Sequence, residues 1–253
     1  METAVIGHGS PLGEAARRDG LTGEHPPASV RPRGFPDRRL VTVGPALSGV
    51  IFDYGGVLMN MRWDVSRQLE DAHDLPRGTI VDTLYRTPAW HAIERGHGDR
   101  AVWLREAHTL LETRAGRPLP HLHETWRQAQ YPIDANVALA GSLRPAYRTA
   151  VLSNADSSLR ARLREGGLHD LFDTIVSSAE EGVAKPEAAI YRLAAARLDL
   201  PPATCVFVDD YEVNVEAAVA VGMTGILFRV DRGDDLPSML ADVGIVVPQA
   251  LGP

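Results

Sequence analysis

The 253-residue sequence contains one cysteine, Cys205, and one lysine, Lys185. A single thiol excludes an intrachain disulfide framework and a zinc site built from cysteines, and it sets the expectation of a cytoplasmic location. No run reaches the ~18 consecutive apolar residues of a membrane span, and no apolar segment follows a basic start as in a secretory signal. Positive charge is also in deficit: 26 Lys+Arg stand against 33 Asp+Glu, a formal net charge of -7. That balance argues against a general nucleic-acid binder, which needs a broad basic face. What remains is an ordinary globular composition, 44% hydrophobic and 23% charged, on a chain long enough for a core domain carrying a smaller inserted one. Every basic residue but one is arginine, so the lone lysine is a position to be accounted for.

Residues 1–47 are rich in Gly, Pro and Arg, as in His25-Pro26-Pro27 and Arg31-Pro32-Arg33-Gly34-Phe35-Pro36. They lack an apolar period and are read as a flexible N-terminal tail or an over-extended start, with a basic docking arm as the functional alternative. From residue 49 the pattern changes. Short, β-branched apolar runs recur at Gly49–Phe52, Thr149–Leu152, Thr174–Val176, Cys205–Val208 and Gly225–Phe228. They are too short for buried helices and predict buried parallel strands. Helix-period segments lie between the later ones, over Asp156–Glu165, Pro186–Arg197 and Glu212–Val221, with Pro186 suited to a first helical position. The alternation predicts an α/β fold with an open, Rossmann-like parallel sheet, whose ligands bind beyond the carboxyl ends of the strands.

The first two strands are far apart, and the gap between them holds further helical segments at Asp64–His73, Asp99–Arg114 and Leu119–Gln130. Asp99 is a natural N-cap, and Trp103, Ala107, Leu110 and Leu111 then share one face. The expected organisation is a core over residues 48–62 and 137–248 with a helical cap over 63–136, placed as a lid above the strand ends. Trp90, His91, Arg95 and Trp103 are candidate substrate contacts in that cap, with packing or solvation as the plainer reading. His121 and His123, two apart and flanked by Pro120, are not expected to form a metal site, and Cys205 reads as a buried small hydrophobe.

Four of the five predicted strands are followed by groups that carry chemistry. The first ends in Asp53-Tyr54-Gly55-Gly56, a carboxylate before a loop whose N–H groups can cradle an anion. The second ends in Ser153-Asn154, a hydroxyl and an amide. The third leads to Lys185-Pro186-Glu187 before a helix. The fourth ends in Asp209-Asp210, followed by Asn214, a hard-oxygen set that suits Mg2+. Singly these are a strand cap, a turn, a surface lysine and helix caps; jointly and in order they are a site.

These four elements resemble the haloacid dehalogenase-like (HAD) hydrolase superfamily. More closely, they are similar to its helical-cap phosphatases with an Asp-x-Gly first motif, a group that includes sugar-1-phosphate phosphatases and the N-terminal phosphatase domain of soluble epoxide hydrolase. The resemblance covers about residues 49–243. It implies a Mg2+-dependent phosphatase acting on a small phosphorylated metabolite, with no nucleic-acid or membrane partner. Asp53 would be the nucleophile forming an aspartyl-phosphate, and Lys185 would bridge nucleophile and phosphate. Ser153, Asn154, Gly55 and Gly56 would hold the phosphate. The metal would sit on Asp53, the Gly55 carbonyl, Asp210 and Asp209, with Asn214 ordering its surroundings. One departure stands out: the family's general acid two residues after the nucleophile is replaced by Gly55. That favours an activated leaving group such as an anomeric or acyl phosphate, or a proton supplied by a cap residue or by the substrate itself. The alternatives are a dehalogenase-type hydrolase using the same aspartate and a catalytically weakened binding protein.

Overall fold

The computed structural model describes residues 46–248. The expected tail lies outside the described residues except at its last two positions. Strand β1 (Gly49–Phe52) leads through a turn to the short β2 (Met59–Asn60). Five helices follow: α1 (Trp63–Ala72), α2 (Thr79–Tyr85), α3 (Pro88–Ile93), α4 (Arg100–Ala115) and α5 (Leu122–Gln128). The chain returns through β3 (Tyr131–Pro132), which pairs antiparallel with β2. Next come α6 (Asp134–Leu143), β4 (Arg148–Ser153), α7 (Leu159–Glu165), β5 (Thr174–Ser177) and α8 (Ser178–Glu181). The chain then continues through α9 (Ala188–Arg197), β6 (Cys205–Asp209), α10 (Glu212–Ala220), β7 (Thr224–Leu227) and α11 (Leu236–Asp242).

The main sheet has five strands in the order β5-β4-β1-β6-β7, and its pairings are all parallel. Side chains alternate across each strand, so one strand feeds two cores. Val50, Phe52, Val151, Ile175, Val206 and Val208 face one cluster with Leu139 and Leu143 of α6, Leu159 of α7 and Leu240 of α11. Ile51, Ala150, Leu152, Val176, Cys205 and Phe207 face the other with Ile190 and Tyr191 of α9 and Ala218 of α10. Burial on both faces explains why these strands read as continuous apolar runs. The five expected strands are all present, and the α/β class is as the sequence indicates. Because β1 lies between β4 and β6, the ends of the first, second and fourth predicted strands come side by side.

The helices between β2 and β3 pack on a third cluster, with Ile80, Leu84, Trp90, Trp103, Leu111, Leu122 and Trp126 at its centre. Trp126 is fully buried and its indole N–H donates to the Met61 carbonyl at 2.7 Å. Asp99 does cap α4, accepting from the N–H groups of Ala101 and Val102 at 2.7 and 3.0 Å. Its buried face is Trp103, Ala107 and Leu111, and Leu110 falls at the margin.

Three helix starts differ from expectation. Helix α9 begins at Ala188, because the Glu187 N–H closes a turn on the Ala184 carbonyl and Pro186 lies inside it. Helix α7 begins at Leu159, after a local turn in which the Ser158 N–H donates to Asp156. Helix α5 begins at Leu122, since Pro120 disfavours helix at Leu119. Among the described residues no helix is long and apolar enough to cross a membrane.

Candidate active site

Asp53 follows β1 directly, and its N–H donates to the Val208 carbonyl of β6 at 2.8 Å. That bond continues the sheet ladder and aims the side chain out of the strand ends. Its carboxylate accepts from the Tyr54 N–H at 2.7 Å and pairs with Lys185 Nζ at 2.9 Å. The same ammonium pairs with Asp209 Oδ2 at 2.6 Å and lies 5.5 Å from the centroid of the Phe207 ring. Asp209 ends β6 and is fully buried. It also accepts from Asn214 Nδ2 and from the Tyr211 N–H, so its oxygens are committed to holding Lys185 and the start of α10. Asn214 is steadied in turn by the Tyr191 hydroxyl, which donates to its carbonyl at 2.9 Å. Ser153 ends β4, buried, on the strand next to β1.

Asp210 stands against Gly56, whose φ is +83°. A β-carbon at Gly56 would fall 2.1 Å from an Asp210 carboxylate oxygen, so only glycine lets that carboxylate occupy its place. One carboxylate oxygen from each of Asp53, Asp209 and Asp210 lies within 4.8 Å of the other two.

One ammonium cannot neutralise three carboxylates, and burial makes the remainder costly. Desolvation is the largest influence on Asp53; Lys185 opposes it, Asp209 adds to it, and the net movement is upward. Asp210 is pushed up to about 8 by burial and by the charges of Asp53 and Asp209. Burial alone would lower the Lys185 pKa, but Asp209 and Asp53 outweigh it and push it up, so the lysine stays charged. An all-oxygen donor set with uncompensated negative charge fits a hard divalent cation such as Mg2+.

Two of the expected phosphate binders are committed elsewhere. The Gly56 N–H donates to the Met59 carbonyl at 2.8 Å within the turn after β1, so its amide does not face outward as an anion cradle. Asn154 turns its amide onto the backbone of Lys185, accepting from its N–H at 2.8 Å and donating to its carbonyl at 2.9 Å. Gly55 offers no ionisable group, and a β-carbon there would meet the Met61 thioether at 3.3 Å.

Contacts from α3 reach the same loop. Glu94 is buried; it accepts from Asn154 Nδ2 at 3.2 Å and pairs with Arg95 and His91, each at 2.9 Å. Arg95 also pairs with Glu187 at 2.7 Å. Glu94 was not singled out from the sequence, and no local signal marks it, because its partner is 60 residues away. Glu187 was visible only as part of a motif. Trp90 and Trp103 are core side chains, their rings 4.9 Å apart. His123 bonds Thr83 Oγ1 at 2.9 Å inside the helical unit, and the His121 ring lies 4.4 Å from that of His108. Cys205 is buried in β6, and burial pushes its thiol up to about 11, which keeps it a packing residue.

Comparisons with known proteins show the family and the fold. Residues 47–222 match the model of a hydrolase family described as haloacid dehalogenase-like hydrolase. The chain is 32% identical over 183 residues to the sesquiterpene phosphatase astK of Aspergillus oryzae, covering 70% of this chain and 87% of that protein. It is 29% identical over 219 residues to phosphatase MT3486 of Mycobacterium tuberculosis, covering 81% and 99%. Its fold is similar to that of HAD family enzyme bt-2542 of Bacteroides thetaiotaomicron, solved in complex with magnesium and inorganic phosphate. The TM-score is 0.58 at 19% identity, covering 77% of this chain and 99% of that one. With its strand-end carboxylates, its single bridging lysine and a family match over most of its length, the chain belongs to the haloacid dehalogenase-like hydrolases.

Proposed function

We propose that this hydrolase is a Mg2+-dependent phosphatase that removes phosphate from a small phosphorylated metabolite, with Asp53 as nucleophile. The observation that carries the reading is the position of the only lysine, between Asp53 and Asp209 at the strand ends, with Asp210 close by. Relatives named as phosphatases support it.

In this reading an Asp53 oxygen attacks phosphorus, the bond to the leaving oxygen breaks, and an aspartyl-phosphate forms. Water then attacks the same phosphorus, releasing inorganic phosphate and freeing Asp53. Lys185 opposes the protonation of Asp53 that burial favours and offers positive charge to the phosphoryl oxygens, where a compact ammonium fits better than a planar guanidinium. Ser153 donates to a phosphate oxygen. Asp209 and Asn214 keep Lys185 aimed, and Asn154 fixes the backbone that carries it. Asp53, Asp210 and the Gly55 carbonyl would hold Mg2+, which supplies further positive charge to the transferring group. The helical unit, expected over residues 63–136, is read as a cap that excludes water through the contacts of Glu94 and Arg95. With no acid at Gly55, substrates whose leaving group needs little protonation, such as anomeric or acyl phosphates, are favoured.

A dehalogenase reading uses the same aspartate but has no need of a cation. The crowded carboxylates weigh against it. The deciding experiment is a phosphate-release screen over sugar, nucleotide and acyl phosphates, with and without Mg2+, with Asp53→Asn as control. Mg2+-dependent release abolished by that substitution is expected. Release that persists in Asp53→Asn, or none from any substrate, would overturn the reading.

A further inference from the structure

A second charged cluster lies beside the first and carries the opposite sign. Arg162, on α7, holds its guanidinium 5.8 Å from the ring centroid of Tyr54, the residue next to Asp53. Arg100, at the start of α4, donates from Nε to Asp156 at 3.1 Å. Asp156 lies just past Ser153-Asn154 and also accepts from the Ser158 N–H at 2.8 Å. Arg127 follows Trp126, whose indole N–H is tied to Met61, and Met61 in turn faces Gly55. All four charges act on the buried Tyr85 phenol. Burial raises its pKa, Arg127, Arg162 and Arg100 pull it down, and Asp156 adds to the rise. Burial also lowers the pKa of Arg127.

Arg100 already holds the one carboxylate of this cluster, Asp156. Among the described residues neither Arg127 nor Arg162 has an ion pair with a carboxylate, and Arg162 Nε is buried with no hydrogen-bond partner. Several other arginines are paired, Arg62 with Asp64, Arg95 with Glu94 and Glu187, Arg160 with Glu180 and Arg197 with Glu181, while Arg229 Nε, like Arg162 Nε, is buried with no hydrogen-bond partner. Recessed guanidiniums without a counter-charge are costly, and their forked donors match carboxylate and phosphate oxygens.

We propose that Arg100, Arg127 and Arg162 form a subsite for a second anionic group, a carboxylate or another phosphate, carried on the leaving part of the substrate. The proposal rests on the phosphatase reading, since it places the reacting phosphate at Asp53 and the second anion beyond Tyr54, between the helical unit and α7. The enzyme then selects acidic phosphate esters over neutral ones of the same size.

The test compares matched probes: 2-phosphoglycolate with ethyl phosphate, and 1,3-propanediol bisphosphate with propyl phosphate. The first pair reads a carboxylate, the second a phosphate. In the presence of Mg2+ the acidic member of at least one pair is expected to show a kcat/KM ~10–100-fold higher, mainly through KM, as charge-assisted hydrogen bonds provide. Arg127→Gln and Arg162→Gln should each reduce that ratio about tenfold, and Arg162→Lys should restore part of it. Equal turnover within both pairs, or a ratio unchanged in both variants, overturns the proposal. Thermal shifts of the unmodified protein with the same probes separate this from failure of the phosphatase reading. If nothing is turned over, a larger shift from the acidic probe that disappears in Arg162→Gln supports the subsite. Equal shifts from both probes sink it.

Discussion

Asn154 grips the backbone of Lys185 from both sides, accepting from its N–H at 2.8 Å and donating to its carbonyl at 2.9 Å. The end of the second main-sheet strand is thereby tied to the loop after the third, and the lysine's Cα is fixed before its side chain reaches Asp53. Asn154→Ala removes both bonds and leaves the ammonium's charge untouched. Activity is expected to fall ~10–100-fold, the range for residues that orient a catalytic group through its neighbours. Steady-state kinetics beside a melting curve checks this: near-normal kcat with a lowered Tm would show that the clamp serves only the fold.

Lys185 has a structural role that charge alone does not reveal. Asp209 has no exposed surface and depends on this ammonium. Lys185→Met is expected to cost about 3–5 kcal/mol, as for a buried pair that loses one partner. Lys185→Arg keeps the charge but needs more room between Asp53 and Asp209, so it should retain more stability than Lys185→Met and still lose most activity. Urea denaturation and phosphate release, measured on both variants, test the two halves separately.

The carboxylate cluster makes the metal-free protein pH-dependent. Asp210 is held at about 8, against 3.8 for an ordinary aspartate, and Asp53 is also raised. Between those values the folded state binds more protons than the unfolded one. The stability this contributes is complete below about 3.8 and is lost as pH rises through about 8. A bound divalent cation reverses the balance by favouring the ionised form. The Tm increase on adding Mg2+ is therefore expected to be larger at pH 8 than at pH 6. An increase independent of pH, or greatest in acid, would place the cation elsewhere.

His123 shows the opposite slope. It is buried in the helical unit beside Thr83, and desolvation lowers its pKa from 6.5 to about 4. The unfolded chain takes up the proton first, so stability is complete above 6.5 and is lost as pH falls toward about 4. A shift of this size corresponds to a loss on the order of 3 kcal/mol. Denaturation midpoints followed from pH 7 to pH 4, with His123→Gln as comparison, should show the slope in the parent and a flatter one in the variant.

Much of this molecule can be read along the chain because the informative features are local. Three of the five core strands are apolar runs ended or directly followed by a candidate site residue, so Asp53, Ser153 and Asp209 declare both their type and their place. Lys185 stands out because no other lysine competes with it. The alternation of strand and helix requires a parallel sheet, and a parallel sheet directs ligands to the strand ends.

Contacts between distant segments were decided only by the tertiary structure. Whether Asn154 meets phosphate or the Lys185 backbone depends on how the loop after β5 packs over β4. Nothing beside Gly56 announces that its missing β-carbon makes room for Asp210, because that carboxylate arrives from another strand. Glu94 reaches Asn154, and Arg162 lies over Tyr54, only because helices far apart in sequence fold over the same strand ends. Periodicity states which face of an element is buried. Which partner it is buried against is set by strand order and helix packing, and those are properties of the whole chain.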